Sequence, residues 1–355
     1  MRAQWFVRVT GPNRYCRKTT SAWQSEHGRF FCRLRPSLPS CVACPPSSQK
    51  KASHEGLEVE NLNKKYRSLA DVLRKAVATK DERKKADKQR KKEEKAESKE
   101  PSGKPRSFVV DFKGDLKASA VSSLREEVSA ILAVATPDDE VIVRLENHGG
   151  LVHEHGLAAS QLARVRDRDI PLIVCVDKVA ASGGYLMACV ASRIMAAPFA
   201  ILGSVGVLAQ IPNFNRMLDS HGVDFEQITA GKYKRTVTMF GKNTDEDRAK
   251  LKDELEDVHT LFKDAIEKYR PGLDLDKVAT GEHWYGTRAL ELGLADEIRT
   301  SDEVLGAKVA DRDLYHVKYK VKQPLQKRVL QNVETAIERA DAARWRHKFE
   351  SRLPR

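Results

Sequence analysis

The residues of this chain whose types and spacing could do chemistry are a serine in a run of small residues and a pair of lysines about fifty positions later. The serine, Ser182, stands in VDKVAASGGYLMACV (Val176–Val190), and the lysines, Lys232 and Lys234, stand in AGKYKR. Serine is a weak nucleophile at its free pKa, so a base must take its proton as it attacks a carbonyl. Lysine serves as that base once burial or neighbouring positive charge favours its neutral form. Gly231 lets the turn before the lysines form, and only one amine has to point inward. The residues alone do not choose between Lys232 and Lys234, and both are also readable as ordinary solvent-facing loop lysines.

Two further features would complete such a site. Gly149 and Gly150 follow an apolar strand that ends near Leu145. A glycine pair there either exposes backbone N–H groups to a bound carbonyl, as an oxyanion hole requires, or makes a plain strand-to-helix turn. Ser204, in GSVGV, is either a turn hydroxyl or the acceptor that positions a lysine amine. His148, His153 and His155 offer a rival Ser-His-Asp scheme or a metal set. No HExxH-type spacing accompanies them.

These groups need a scaffold, and hydrophobic periodicity predicts one. Ser107–Phe112, Val141–Leu145 and Pro171–Val176 read as apolar strands. Between them lie helices marked by Leu124, Val128, Ile131, Leu132 and Ala135, and then by Leu157, Leu162 and Val165. Strands alternating with helices at this spacing imply parallel pairing and an α/β core. Gly183 and Gly184 relax the backbone where a helix follows Ser182. A further strand is expected over Asp224–Thr229, just before the lysines. Thr244 with Asp247 resembles a capping box for a long helix whose apolar side is Leu251, Leu255, Val258, Phe262 and Ile266. Trp284 and Tyr285 read as packing residues in a turn leading to a helix around Leu290. Leu314–Tyr319 reads as a strand, followed by a segment with Val329, Val333, Ala336, Ile337 and Ala340 at helical spacing.

Composition sets the boundaries. The chain has 355 residues and a net charge of +13. Much of that excess lies in the first fifty residues, where Glu26 is the only acid. Because the excess sits outside the periodic region, it reads as a property of the tail, and no nucleic-acid partner is expected. Residues 1–60 are expected to be a disordered or atypical amino-terminal segment without a credible signal peptide. Residues 61–104 are expected to hold an amphipathic helix (Leu62, Tyr66, Leu69, Leu73, Val77) and a mixed-charge spacer. A catalytic α/β domain over 105–310 and a carboxyl segment over 311–355 complete the plan. The uncharged run between Arg193 and Arg216 is broken by Pro198, Gly203, Gly206 and Pro212, so it reads as strand, glycine turn and second apolar segment rather than a membrane span. Cys16, Cys32, Cys41 and Cys44 lack a supporting fold for structural zinc, and Cys175 and Cys189 read as small buried hydrophobes. No metal and no cofactor is expected.

Longer runs carry a family likeness. LVHEHGLAASQLARVRDRDIPL, VDKVAASGGYLMACVASRIMAAPFAILGSVGVLAQIPNFNR, ITAGKYKRTVTMFGKNTDEDR and VATGEHWYGTRALELGLADEI resemble the bacterial SohB peptidases, within the signal peptide peptidase A group of serine proteases, peptidase family S49. The resemblance covers roughly residues 105–310. It implies a ClpP/crotonase-like α/β core and an endopeptidase using a Ser-Lys dyad and an acyl-enzyme. Ser182 stands at the family nucleophile, Lys234 at the general base, Gly149 at the oxyanion hole and Ser204 at the serine that orients the lysine. It also implies a polypeptide substrate, a homo-oligomer, and association with the bacterial inner membrane with catalysis on the periplasmic side. Beside it the three histidines read as substrate-rim or surface residues, and Asp177 and Lys178 as helix-entry or salt-bridging groups. Two departures stand out: family members commonly read Ser-Pro-Gly-Gly where this chain has Asn147, His148, Gly149 and Gly150, and they usually begin with a membrane helix that residues 1–50 do not supply. The contrasting readings are a non-catalytic scaffold or membrane-associated interaction protein that keeps the fold, and a crotonase-type acyl-CoA enzyme.

Overall fold

The computed structural model describes residues 56–79, 81–83, 88 and 103–321. The amino-terminal fifty residues, most of the charged spacer and the carboxyl-terminal segment expected to be helical lie outside these. The core is a seven-stranded sheet in the order β1-β10-β2-β3-β4-β6-β9. Its strands are β1 (Gly56–Asn61), β2 (Arg106–Lys113), β3 (Glu140–Glu146), β4 (Leu172–Val176), β6 (Arg193–Ala196), β9 (Glu297–Ile298) and β10 (Asp313–Lys320). All neighbours pair in parallel except β1 with β10. The expected α/β core is therefore present, and the three strands and two helices first read from periodicity occur within a few residues of their expected bounds.

Alternation along the central strands explains why both faces are covered. Phe108, Val110 and Phe112 join Val141, Val143 and Leu145 in one apolar cluster with α2 (Val121–Leu132) and α3 (Val152–Arg166). Val109, Ile142, Ile173 and Cys175 turn to the other face, against Leu62 of α1 (Leu62–Val77) and Val304 and Leu305 of α9 (Ser301–Lys308). Parallel strands buried on both sides carry near-continuous apolar runs, as β2, β3 and β4 do.

The edge elements are less obvious from sequence. β1 occupies a sheet edge with Leu57 and Val59 exposed, so its apolar residues give no burial signal of their own. What ties it in is Asn63, buried just inside α1, whose Nδ2 donates to Val309 O and Arg312 O and whose Oδ1 accepts from Leu314 N–H. Residues 56–66 and β10 are thus parts of the same sheet-and-helix body rather than appendages to it.

A second, three-stranded sheet positions the chemistry. It comprises β5 (Val179–Ala181), β7 (Ile201–Gly203) and β8 (His283–Tyr285) in the order β5-β7-β8, with β5 and β7 parallel. α4 (Gly183–Ala188) starts immediately after Ser182. The strand expected over Asp224–Thr229 does not form: the segment is exposed, with Ile228 at 95% exposure, and has no partner strand among the described residues. Beyond the short α5 (Asn215–Ser220), α6 (Asp245–Tyr269) begins with the expected capping box, Thr244 Oγ1 accepting from Asp247 N–H and Asp247 Oδ2 from Thr244 N–H. Only Ile266 of its apolar side is fully buried, so α6 docks by its carboxyl end. α7 (Leu275–Val278) and α8 (Gly286–Glu291) lead back to the core.

Candidate active site

Ser182 and Ser204 are placed by one ladder. Ala181 pairs with Gly203 across β5 and β7, so each serine is the first residue past a paired strand end. Both have φ of +52°, a value that side-chain-bearing residues adopt only when their surroundings enforce it. Ser182, with ψ of −119°, has the dihedrals of the first central position of a type II′ turn. The turn is fixed from both sides: Ser182 N–H donates to Gly203 O (2.8 Å), and Ser182 O accepts from Leu186 N–H (3.0 Å) in α4. Ser204 N–H in turn donates to Glu282 O (2.6 Å). The Ser182 side chain is half-buried and caps nothing, so its hydroxyl is uncommitted at the mouth of a strand-to-helix turn.

Gly149 lies directly against this turn. A Cβ at Gly149 would fall 2.8 Å from Ser182 Cβ and 2.9 Å from Gly183 N, and its φ of +86° also excludes a side chain. The two glycines after Ser182 answer the same crowding: a Cβ on Gly183 would come within 2.5 Å of His155 Cγ, and one on Gly184 would overlap Asn147 O. Behind the turn, Asn147 is wholly buried. Its Oδ1 accepts from Gly149 N–H at 2.9 Å, His155 Nε2 lies 3.2 Å from the same oxygen, and Nδ2 donates to Met187 Sδ at 3.3 Å.

Both candidate lysines are exposed. Lys234 is exposed in the turn closed by its own N–H donating to Gly231 O (3.2 Å), and no hydrogen bond joins its amine to Ser182 among the described residues. Lys232 pairs with Glu246 at 2.9 Å and stands 5.0 Å from the centre of the Tyr233 ring. Hydrogen bonding to Tyr233 and to Glu246 raises its pKa, which disfavours it as a base. The single chain thus brings Ser182, Gly149 and Ser204 together, while the Lys234 side chain is exposed and makes no hydrogen bond to Ser182 among the described residues.

Family models match most of this chain: that of peptidase family S49 over residues 164–314 and that of the S49 amino-terminal region over residues 40–162. The probable protease SohB of Haemophilus influenzae is 49% identical over 284 residues, covering 77% of this chain and 80% of its own. This chain belongs to peptidase family S49. The probable protease SohB of Buchnera aphidicola subsp. Schizaphis graminum is 46% identical, over 82% of this chain and 85% of that one. Among solved structures, a variant of the membrane-bound stomatin-specific protease 1510-N aligns with 14% identity and a TM-score of 0.38, over 58% of this chain and 85% of that one. That likeness is too distant to bear on mechanism.

In this S49 peptidase the histidine reading needs correction. His148 and His153 are exposed as expected, but His155 is fully buried and packs beneath Gly183. The signal for this was present: His155, Ala158, Ala159 and Leu162 recur at helical spacing, and all four are buried on the inner face of α3. Asn147 was visible only as a departure from the family pattern; its burial depends on the close approach of Gly114 and Gly184, which no local rule reveals. Lys178 bridges to Glu146 (3.1 Å), and Asp177 accepts from Ser301 N–H and Oγ–H at the start of α9. Cys175 and Cys189 are free and buried, with burial pushing each thiol up to about 12, so neither is a nucleophile near neutral pH. Among the described residues no group of acids, histidines and cysteines is arranged to hold a metal, and no helix is long and apolar enough to cross a membrane.

Proposed function

We propose that this S49 peptidase is a serine endopeptidase acting on extended polypeptide through an acyl-enzyme on Ser182, with Lys234 as general base. The observation that carries the reading is the Ser182 turn: a non-glycine residue at φ +52°, its hydroxyl free, with Gly149 packed on its Cβ. Lys234 Nζ takes the proton as Ser182 Oγ bonds to the scissile carbonyl carbon. The negative oxygen of the tetrahedral intermediate is received at Gly149, and the protonated lysine returns its proton to the departing amine. Water then attacks the ester by the same route, releasing the acid and restoring Ser182. Ser204, one ladder position from Ser182, orients the amine.

The base reaches the nucleophile by assembly. Lys234 belongs to a segment that exposes Leu208, Phe214, Met217, Phe225, Ile228 and Phe240, apolar surface of the kind that association buries. Burial against a second copy would strip water from the lysine and favour its neutral form. A homo-oligomer is therefore part of the proposal, as is action at the bacterial inner membrane with the catalytic domain on the periplasmic side. The exposed Lys234 side chain, which makes no hydrogen bond to Ser182 among the described residues, also favours a second reading, a scaffold that keeps the fold without the chemistry. Labelling with a fluorophosphonate probe decides between them. Labelling of the assembled protein that is abolished by Ser182→Ala supports the enzyme, and an unlabelled, correctly assembled protein supports the scaffold.

A further inference from the structure

The Asn147–His155 pair lies behind the proposed site and has no role in the proton transfers described above. Gly149 N–H is only a donor, so the Asn147 atom 2.9 Å from it must be the carbonyl oxygen; the amide nitrogen then faces Met187 Sδ, a weak acceptor. His155 Nε2, 3.2 Å from that same oxygen, donates to it in the tautomer that carries the ring proton on Nε2. The other ring nitrogen, Nδ1, faces Leu151 O at 3.0 Å; that carbonyl also accepts the His155 backbone N–H at 3.1 Å and so has a donor in either tautomer. With its proton on Nε2 the imidazole holds Asn147 Oδ1, Oδ1 holds the Gly149 amide, and Gly149 rests on Ser182 Cβ. The same ring also supports Gly183, on the other side of the nucleophile.

We propose that Asn147 and His155, with the ring proton on Nε2, are a buried positioning pair that fixes the Gly149 turn against Ser182. The chain has no proline to stiffen this turn, and Gly149 and Gly150, at φ of +86° and +157°, have no intrinsic preference that would hold it. Anchoring Gly149 through a buried side-chain network supplies the missing restraint. His155 acts as a donor through Asn147 and exchanges no proton with substrate.

This rests on the endopeptidase reading above, and the experiment separates the two. The full chain is assayed on an unfolded polypeptide, with acylation by a fluorophosphonate and thermal unfolding measured in parallel. His155→Phe, which fills the ring volume without a donor, is expected to lower kcat about 10- to 100-fold with KM changed less than about twofold. His155→Gln, which places an amide N–H near the position of Nε2, is expected to restore kcat to within about threefold of the parent. Asn147→Ala should lower kcat to a similar degree, and combining it with His155→Phe should cost no more than the worse single change. Parental kcat in a folded His155→Phe or Asn147→Ala variant overturns the pair, as do additive losses or a His155→Gln variant no better than His155→Phe. Should His155→Phe not fold, Asn147→Ala and His155→Gln decide by the same criteria. If the parent itself is unlabelled, or Ser182→Ala retains activity, the endopeptidase reading has failed. If Ser182→Ala is inert and the pair variants are indifferent, only the positioning role has.

Discussion

The nucleophile and its proposed base sit in regions of opposite character. Around Ser182 the chain is enclosed: strands β5 and β7 pair in register, Asn147 and His155 are buried, and glycines stand wherever a side chain would collide. From Leu208 to Phe240 it is open, with one short helix, no strand and a series of exposed apolar side chains. A preorganised nucleophile can be built from contacts within one chain, whereas a lysine that must be neutral has to be taken out of water. The contrast suggests that one half of the dyad is finished by folding and the other by association.

Removing either half should be severe. Ser182→Ala should abolish turnover, by at least about 10⁴-fold, because without the oxygen no acyl-enzyme can form. Fluorophosphonate labelling and peptide hydrolysis both check this, and residual turnover near the parental level would break the assignment of the enclosed region. Lys234→Ala should lower acylation by about 10³-fold while leaving the fold and thermal midpoint unchanged, because the side chain is exposed in the single chain. A Lys234→Ala variant that acylates at the parental rate would show that the open region supplies no base.

The comparison also explains what could be read from sequence. Strands β2, β3 and β4 were legible because strands buried on both faces carry near-continuous apolar runs, interrupted here only toward the strand ends by Asp111 and Arg144, and α2 because Leu124, Val128 and Ile131 keep helical spacing. β1 was hidden because an edge strand with Leu57 and Val59 exposed has no apolar run to display. The strand expected over Asp224–Thr229 failed for another reason: Phe225 and Ile228 are three apart and would fall on opposite faces of a strand, so the segment has no single apolar face to bury, and no strand pairs with it among the described residues. At the site, Ser182 and Gly149 were legible as types in a family register. The Asn147–His155 contact was not, because it joins a strand end to a helix through the space left by glycines.

Hydrogen exchange should sharpen the contrast on the isolated chain. Amides of β2 and β3 should exchange orders of magnitude more slowly than those from 207 to 243, where few backbone hydrogen bonds are shielded. Assembly should slow exchange in the second group selectively. Equal protection of both regions in a monomer would break the comparison.

Acid should act on the enclosed body. Asp139 is almost wholly buried; burial alone would raise its pKa, but hydrogen bonds from Arg106, then Thr136, outweigh that and depress it strongly. Asp111 follows the same logic: burial opposes ionisation, yet bonds from His316 and Arg144 bring it from 3.8 to about 2. Both carboxyls bind protons more weakly in the folded chain than in the unfolded one. Their stabilisation is therefore complete above the ordinary aspartate range and is lost as pH falls from about 4 toward 2. Asp139→Asn should cost roughly 2–3 kcal/mol near neutral pH and flatten that acid limb, as measured by denaturant unfolding across the range. An unchanged acid limb would mean that the Arg106–Asp139 contact does not anchor the sheet.

The smallest expected effect is the most discriminating between the two lysines. Lys232 and Lys234 are separated by one residue, so a loop that merely needs positive charge would respond to the loss of either. Lys232, however, already spends its charge on Glu246 and lies beside Tyr233, with both partners favouring the ammonium form over the free amine a base requires. The pair is largely exposed, and such surface ion pairs contribute little to stability. Lys232→Ala should accordingly leave the acylation rate within about threefold of the parent, with the same pH dependence. A loss comparable to that of Lys234→Ala would mean that the open segment acts through its overall charge or shape, and the assignment of a single base to it would fall.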